Sequence, residues 1–287
     1  MTERPTRATP GGRAYLDLRK VASSAGRPTD ELLQLYALEG LLDRLSGSPH
    51  AEHFVLKGGA LLAAFDARRP TRDVDLAAID VTNDLDDMHR LVNEVIAIPR
   101  EDGLDFDLSA TTTETIRDDE QYGGVRVTIH GMLSTAIIQF NVDINVGDPL
   151  WPTPDEIAVP RLLGGPPIRI RGYRIELVLA EKIVTALQRG TANTRWRDFV
   201  DIASLARRDL DDNALIESIR RVAAYRQVPI RPLHGALAGY AQVAQQQWAA
   251  WRRKQGLADT TPAQFGDLLD QVMAFADPLL GRAAASP

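Results

Sequence analysis

The stretch FVLKGGALLAAFDARRPTRDVDLAA, residues 54–78, decides the fold that we predict for this chain. Its pattern indicates an apolar strand over 54–56, a Gly-Gly turn, a short helix over 59–66 and a strand over 74–79. The second strand opens with Asp-Val-Asp, and residues two apart in a strand point to the same side of the sheet. The stretch therefore predicts two carboxylates, those of Asp73 and Asp75, close to a glycine turn.

Two carboxylates that face the same point repel each other unless a cation lies with them. Oxygen ligands of this kind suit Mg²⁺, or Mn²⁺, completed by water and substrate phosphates. Asp143 lies in the alternating strand IIQFNVDINV, on its polar side. If this strand lies beside the Asp-Val-Asp strand, we expect Asp73, Asp75 and Asp143 to form a metal site, and a third carboxylate would allow two metal ions.

The glycine turn, Lys57-Gly58-Gly59, predicts a phosphate-binding loop. Glycine allows close approach of the backbone, and the N-terminus of the following helix presents free N–H groups to an anion. No Gly-Lys-Ser/Thr sequence follows, so the turn is not a Walker A loop. Lys57 could face either the phosphates or solvent.

The remaining patterns predict an α+β fold, in which a mixed sheet with flanking helices is followed by an all-helical part. We place the domains at 1–172 and 173–287. The helical patterns cover 12–24, 29–46, 83–98, 175–190, 194–208, 212–225, 231–255 and 262–280. Strand patterns cover 104–116, 123–130 and 135–146, in a mostly antiparallel sheet, and 147–172 is a connector with one or two short strands.

Composition and charge narrow the classes of function. There is no cysteine, and no apolar run approaches the roughly 18 residues of a membrane span. Both features fit a cytoplasmic protein that does not contact a membrane. Residues 161–260 hold 17 Lys and Arg against 9 Asp and Glu, whereas residues 1–160 hold 15 against 27. The basic segment suggests an anionic partner, although a solvated set of helix faces would give the same count.

The order of these motifs resembles the polymerase-β-type nucleotidyltransferases. Their signature is a Gly-Gly turn, about a dozen residues and Asp-x-Asp; here thirteen residues separate Gly59 from Asp73. More narrowly, LKGGALL…RPTRDVDL is similar to the AbiEii-type toxins, which include the mycobacterial MenT group. That family continues with a Lys-bearing helix and an Arg-Asp-x-x-Asp helix. Here these are LAEKIVTALQRG (179–190) and RWRDFVDIASL (195–205).

The resemblance implies a role for each matching residue. Asp73, Asp75, Lys182 and Asp198 would be catalytic, with Asp201 as the competing assignment for the last acid. The nucleotide-binding set implied is Lys57, Gly58, Gly59, Arg72, Lys182 and Arg189. The metal set is Asp73, Asp75 and Asp143. Arg69 lies near the same strand as Arg72 and is a weaker candidate for phosphate binding.

The resemblance also implies a reaction and partners. The enzyme would transfer NMP from an NTP, a pyrimidine nucleotide being expected, to an RNA acceptor such as the tRNA 3′ end, which would block translation. A cognate antitoxin would be its protein partner. Two alternatives stay open: a nucleotidyltransferase that acts on a small molecule, as with aminoglycosides, or on a protein, and a non-catalytic nucleotide- or RNA-binding module.

Thr71 suggests a form of regulation. It precedes Asp73 by two residues. A phosphate on Thr71 would add negative charge beside the metal site and oppose the binding of a triphosphate.

Overall fold

The computed structural model describes residues 4–68, 70–116 and 123–285, which form two compact units. The first unit holds the described residues up to Asp148 together with Pro154–Tyr173. The second holds Pro149–Thr153 and the described residues from Arg174 onwards. The α+β fold class is confirmed, with the sheet in the first unit and a helical second unit.

The first unit is organised around a mixed eight-stranded sheet. Its strands are β1 (Phe54–Lys57), β2 (Asp73–Ala78), β3 (Leu104–Phe106), β4 (Thr112–Ile116), β5 (Gly124–Leu133), β6 (Ala136–Val146), β7 (Asp155–Val159) and β8 (Ile168–Gly172). They lie in the order β3-β5-β6-β2-β1-β8-β7, with β4 also paired to β5. The pairs β2–β6 and β1–β8 are parallel, and the other pairs are antiparallel.

Four helices accompany the sheet: α1 (Pro10–Ser24), α2 (Thr29–Ser46), α3 (Gly58–Leu61) and α4 (Leu85–Ile96). Helix α2 packs on β6 and β8, and α4 packs on β4 and β5. On β6, alternate residues such as Phe140, Val142 and Ile144 are buried, as period-2 alternation requires. The residues between them, including Asn141 and Asp143, point to an accessible face.

The second unit consists of helices α5 (Ile175–Arg189), α6 (Trp196–Leu205), α7 (Asp212–Tyr225), α8 (Leu233–Ala236), α9 (Tyr240–Lys254) and α10 (Phe265–Ala284). Helix α10 packs on α6, α7 and α9. An aromatic cluster fills this core, and its members are Trp196, Phe199, Tyr240, Trp248 and Phe265. Among the described residues, no helix has both the length and the apolar character needed to cross a membrane.

Two predicted elements are interrupted. The strand predicted over 104–116 is β3 and β4, separated by a 3-10 turn. Asp107 causes the break, because its carboxylate accepts hydrogen bonds from the N–H groups of Ser109 and Ala110. The helix predicted over 231–255 is α8 and α9, separated at Gly239, whose φ is +77°.

The helix predicted over 59–66 is also shorter than expected. Only Gly58–Leu61 is α-helical, and a 3-10 turn over Leu62–Phe65 continues it. Asp66, with φ of +51°, ends the turn in the left-handed region. Helix α3 is therefore a single turn that leads from the glycines into the loop before β2.

Candidate active site

The Asp-Val-Asp strand lies in the middle of the sheet, between β6 and β1. Asp75 is opposite Asp143 of β6 on one side and opposite Lys57 of β1 on the other. The expected neighbourhood of β6 and β2 is therefore present. Asp73 is two register pairs further along, opposite Asn141.

Gly58 brings the backbone of the phosphate-loop candidate directly against Asp75. Its φ is +66°, which disfavours any residue with a side chain. A Cβ at position 58 would lie 1.8 Å from Asp75 Oδ2. The next residue, Gly59, donates its backbone N–H to the Asp75 carboxylate. Glycine at position 58 is thus required by the aspartate beside it.

The two aspartates of β2 lie in a setting that disfavours their ionised forms. Burial raises the pKa of Asp75, and the neighbouring Asp143 and Asp73 raise it further, while Lys57 opposes them. Burial and Asp143 likewise raise the pKa of Asp73, against a hydrogen bond from Asn141 Nδ2 at 3.1 Å. Carboxylates whose ionised forms are disfavoured in this way are those that a bound cation would stabilise.

Asp143 already has a cationic partner. Arg126 of β5 donates to it through Nε and Nη2, each at 2.8 Å. Within the described ranges, no three His, Cys, Asp or Glu side chains are grouped so that they could hold a metal ion. Asp143 is thus beside the β2 aspartates in register, but its oxygens face Arg126.

Lys57 is held by another acid. Its ammonium pairs with Asp148 at the end of β6, and both side chains are largely buried, at 12% and 14% exposure. Tyr173 lies under this pair, with the Lys57 ammonium 5.9 Å from its ring centroid. Lys57 therefore faces Asp148 rather than solvent, and its contact with phosphate stays a prediction.

Three further candidate residues, Arg72, Thr71 and Arg69, precede β2. Arg72 is exposed, although its charge lowers the pKa of Asp73 in opposition to burial. Thr71 is half-buried and donates its hydroxyl to the Asp73 carbonyl at 3.3 Å. Arg69 lies outside the described residues.

In the second unit, Lys182 of α5 is buried and binds both acids of the Arg-Asp-x-x-Asp helix. Its ammonium is 2.8 Å from Asp198 Oδ1 and 2.8 Å from Asp201 Oδ2. Arg195 also pairs with Asp198, at 2.6 Å. Although burial alone would raise the pKa of Asp198, Lys182 and Arg195 hold it below its usual range.

Lys182 thus contacts both acids equally, so its geometry does not choose between them. Arg189, seven residues further along α5, is exposed in the last turn of the helix and does not share this buried setting. Arg197 donates to Gln255 at 2.8 Å.

Three polar residues of the site do not stand out in the sequence: Arg126, Asn141 and Asp148. Asn141 and Arg126 occupy alternating polar positions of predicted strands, and this is the sequence feature that could have indicated them as site residues. Their partners depend on strand register, which alternation alone does not specify. Asp148 follows Gly147 after the strand, a position typical of a turn residue.

A Gly-Gly turn packed against an Asp-x-Asp strand, in a mixed sheet with flanking helices, defines the class of nucleotidyltransferases. Residues 40–271 match the family model described as nucleotidyl transferase AbiEii toxin, type IV TA system. The chain therefore belongs to the AbiEii nucleotidyltransferase toxin family, as the resemblance predicted. Membership implies an NTP substrate and an antitoxin partner.

The fold agrees with that of a solved structure. MenT4, a nucleotidyltransferase toxin from Mycobacterium tuberculosis H37Rv, matches with a TM-score of 0.54 at 20% identity, covering 93% of this chain and 98% of that one. JHP933 from Helicobacter pylori matches with a TM-score of 0.46 at 14% identity, covering 94% and 91%. Comparison with curated protein sequences gave no match.

Proposed function

We propose that this toxin transfers NMP from an NTP to the 3′ end of tRNA in a metal-dependent reaction, and thereby blocks translation in the cytoplasm. The observation that carries the proposal is the contact between Gly58 and Asp75. It brings a candidate phosphate-binding turn and a pair of carboxylates into one small site.

The reaction forms a bond between the acceptor hydroxyl oxygen and the α-phosphorus of the NTP. Pyrophosphate leaves, because the α-phosphorus loses its bond to the oxygen that links it to the β-phosphate. The hydroxyl proton passes to solvent or to a carboxylate of the site. Catalysis of such a step depends on positioning and on compensation of phosphate charge.

The donor set fits a divalent cation such as Mg²⁺ or Mn²⁺. Asp73 and Asp75 offer oxygen ligands on one strand face, and burial, followed by the neighbouring Asp143, raises the pKa of both. When bound, the metal would neutralise phosphate charge and orient the triphosphate. Asp143 could join the metal ligands only by exchanging its bonds to Arg126.

The other nucleotide contacts are proposed from the resemblance to the family. Gly58 would turn its N–H group to the phosphates, and Gly59 would do so by giving up its bond to Asp75. Lys57 would be the adjacent buried cation and Arg72 an exposed one. Lys182 is proposed as the triphosphate-binding lysine, with Asp198 or Asp201 as the acid that holds it. Arg189 is proposed as a weaker, exposed phosphate contact.

The RNA part of the proposal is supported by the charge of residues 161–260, which carry 17 basic against 9 acidic side chains. Basic surfaces bind RNA backbone with strong dependence on salt. A pyrimidine NTP is expected from the family resemblance, and the site geometry does not choose the base.

The test incubates the purified protein with total tRNA, Mg²⁺ and each α-labelled NTP in turn. Asp75→Ala removes a proposed metal ligand, and Asp105→Ala is the matched control, since Asp105 is an exposed acid of the same unit. We expect label in tRNA with the wild type and with Asp105→Ala, and loss by a factor of about a hundred or more with Asp75→Ala.

Two results would contradict the proposal. Unchanged labelling by Asp75→Ala would remove the metal role of the aspartates. Absence of label in tRNA with every NTP would reject the RNA acceptor, and label entering an aminoglycoside or a protein would identify the alternative.

A further inference from the structure

Strand β5 supports the acids of the site from the side opposite the glycine turn. The sheet order β5-β6-β2-β1 places β5 and β1 on opposite sides of the strand that carries Asp73 and Asp75. Asp75 receives its hydrogen bond from Gly59, next to β1. Of the other two acids, Asp143 is bound directly from β5, and Asp73 is bound by Asn141 of β6, which is itself bonded from β5.

The contacts from β5 are specific. Arg126 binds Asp143 through two bonds of 2.8 Å. Thr128 donates to Asn141 Oδ1 at 3.1 Å, and Asn141 in turn donates to Asp73 at 3.1 Å. Arg126 is the only Lys or Arg in β5 and β6, whose residues are all described. Strands β5 and β6 therefore contribute one cationic side chain to this side of the site. Its two bonds to Asp143 fix its orientation.

In an in-line displacement, the two sides of the site bind different groups of the reaction. The leaving pyrophosphate and the attacking hydroxyl lie on opposite sides of the α-phosphorus. Under the proposed function, pyrophosphate is at the glycine turn beside β1. The hydroxyl then approaches from the β6–β5 side, so the terminal nucleotide of the acceptor passes over Arg126.

We propose that Arg126 binds a backbone phosphate next to the acceptor hydroxyl, and that Asp143 fixes the guanidinium for this purpose. The two bonds to Asp143 use two of the five N–H donors of the group, and the side chain is 35% exposed. Guanidinium suits phosphate because its planar donors match phosphate oxygens. The inference rests on the proposed RNA acceptor.

RNA binding without metal or NTP separates this role from turnover. The probe is fluorescently labelled total tRNA, followed by anisotropy over a series of salt concentrations. Arg126→Met leaves Asp143 unpaired, so Arg126→Met/Asp143→Asn is measured beside it as the charge-balanced variant. Arg90→Met removes an arginine that is 58% exposed on α4, outside the basic segment 161–260, and serves as the matched control.

We expect both Arg126 variants to bind tRNA about tenfold more weakly than Arg90→Met, and the slope of log affinity against log salt to fall by about one. Arg126→Lys should recover part of the affinity and the full slope, because it keeps the charge. In transfer assays, Arg126→Lys should raise KM for tRNA more than it lowers kcat.

If the charge-balanced variant and Arg90→Met show equal tRNA affinity and equal salt slope, the inference is overturned. Labelling of tRNA by the wild type would then still uphold the proposed function. A fall in kcat of Arg126→Lys with unchanged KM would also overturn the inference, and would leave Arg126 as a support for Asp143 alone. Failure of the wild type to label tRNA would instead reject both proposals.

Discussion

At the scale of single residues, the most constrained position is Gly58. Gly58→Ala would put a methyl group 1.8 Å from the Asp75 carboxylate, at a φ of +66°. The carboxylate or the turn must move by an ångström or more, and displacements of that size cost about a hundredfold in rate. We expect nucleotidyl transfer by Gly58→Ala to fall by about that factor, measured with labelled NTP.

A second glycine separates this clash from backbone strain. Gly26 has a φ of +63°, and nothing lies within 4 Å of the position that a Cβ would take there, so Gly26→Ala carries the same strain without a neighbour. Left-handed backbone costs about 1–2 kcal/mol for residues with a Cβ. Gly26→Ala should lose stability of that order and keep its transfer rate; an equal loss of rate in both variants would contradict the role of the Asp75 contact.

The same residues show how far sequence reasoning reaches. Asp73 and Asp75 could be paired because a strand has a fixed period of two. The proximity of Asp143 could be predicted only on the condition that its strand lies beside the strand of Asp73 and Asp75. The bond from Arg126 to Asp143 could not, because it depends on the register of β5 against β6, which alternation leaves open.

At the scale of elements, the ion group that joins α5 to α6 is the feature most open to measurement. Lys182→Met would leave the buried carboxylates of Asp198 and Asp201 without their shared cation. Removing one partner from a buried pair costs about 3–5 kcal/mol. We expect the free energy of unfolding in urea, followed by circular dichroism, to fall by about that amount.

A further variant separates support of the helices from catalysis. In Lys182→Met/Asp198→Asn/Asp201→Asn the uncompensated charges are gone, so most of the stability should return. If transfer activity returned with it, the proposed triphosphate role of Lys182 would be wrong. Stable protein without activity is the result that the proposal requires.

The same group predicts a dependence on pH. The folded-state pKa of Asp198 lies below its ordinary value of 3.8, because Lys182 and Arg195 outweigh the effect of burial. Its ionised form therefore stabilises the fold at pH above that value, and this contribution is lost as pH falls below 3.8 through the lowered pKa. Asp198→Asn should unfold with a weaker dependence on pH in this acid range, as followed by circular dichroism. An acid transition identical to that of the wild type would contradict the ion pairing.

Element boundaries were predictable where the hydrophobic periodicity is clear. The predicted 29–46 helix corresponds to α2, and the parallel neighbour of β2 is the strand with the clearest alternation. The breaks at Asp107 and Gly239 are local events inside otherwise continuous patterns. A side-chain cap or one left-handed glycine decides them, and neither changes the hydrophobic period.

At the scale of the whole molecule, charge is the property that the sequence shows most directly. Residues 1–160 carry an excess of acids and residues 161–260 an excess of bases. The structure adds which of these bases are exposed, among them Arg253 and Lys254 at the end of α9. An RNA-binding role for the basic segment can therefore be tested without disturbing the core.

Arg253→Gln/Lys254→Gln removes two exposed charges from that segment, and Arg19→Gln/Lys20→Gln removes the same two residue types from exposed positions of α1. Both pairs change the net charge equally, so a general effect of charge would weaken tRNA binding in both. If the basic segment contacts RNA backbone, only the first pair should lose affinity. Its salt slope should fall by about one for each phosphate contact that is removed.

The affinity of each variant for total tRNA would be measured by fluorescence anisotropy between low and physiological salt. Removal of direct contacts lowers the slope, whereas a long-range field changes affinity mainly at low salt, because the Debye length shrinks to about 8 Å at physiological ionic strength. Equal slopes for the two pairs and for the wild type would place the RNA elsewhere than on the end of α9. A lower slope for the first pair alone would assign that helix end to the RNA backbone.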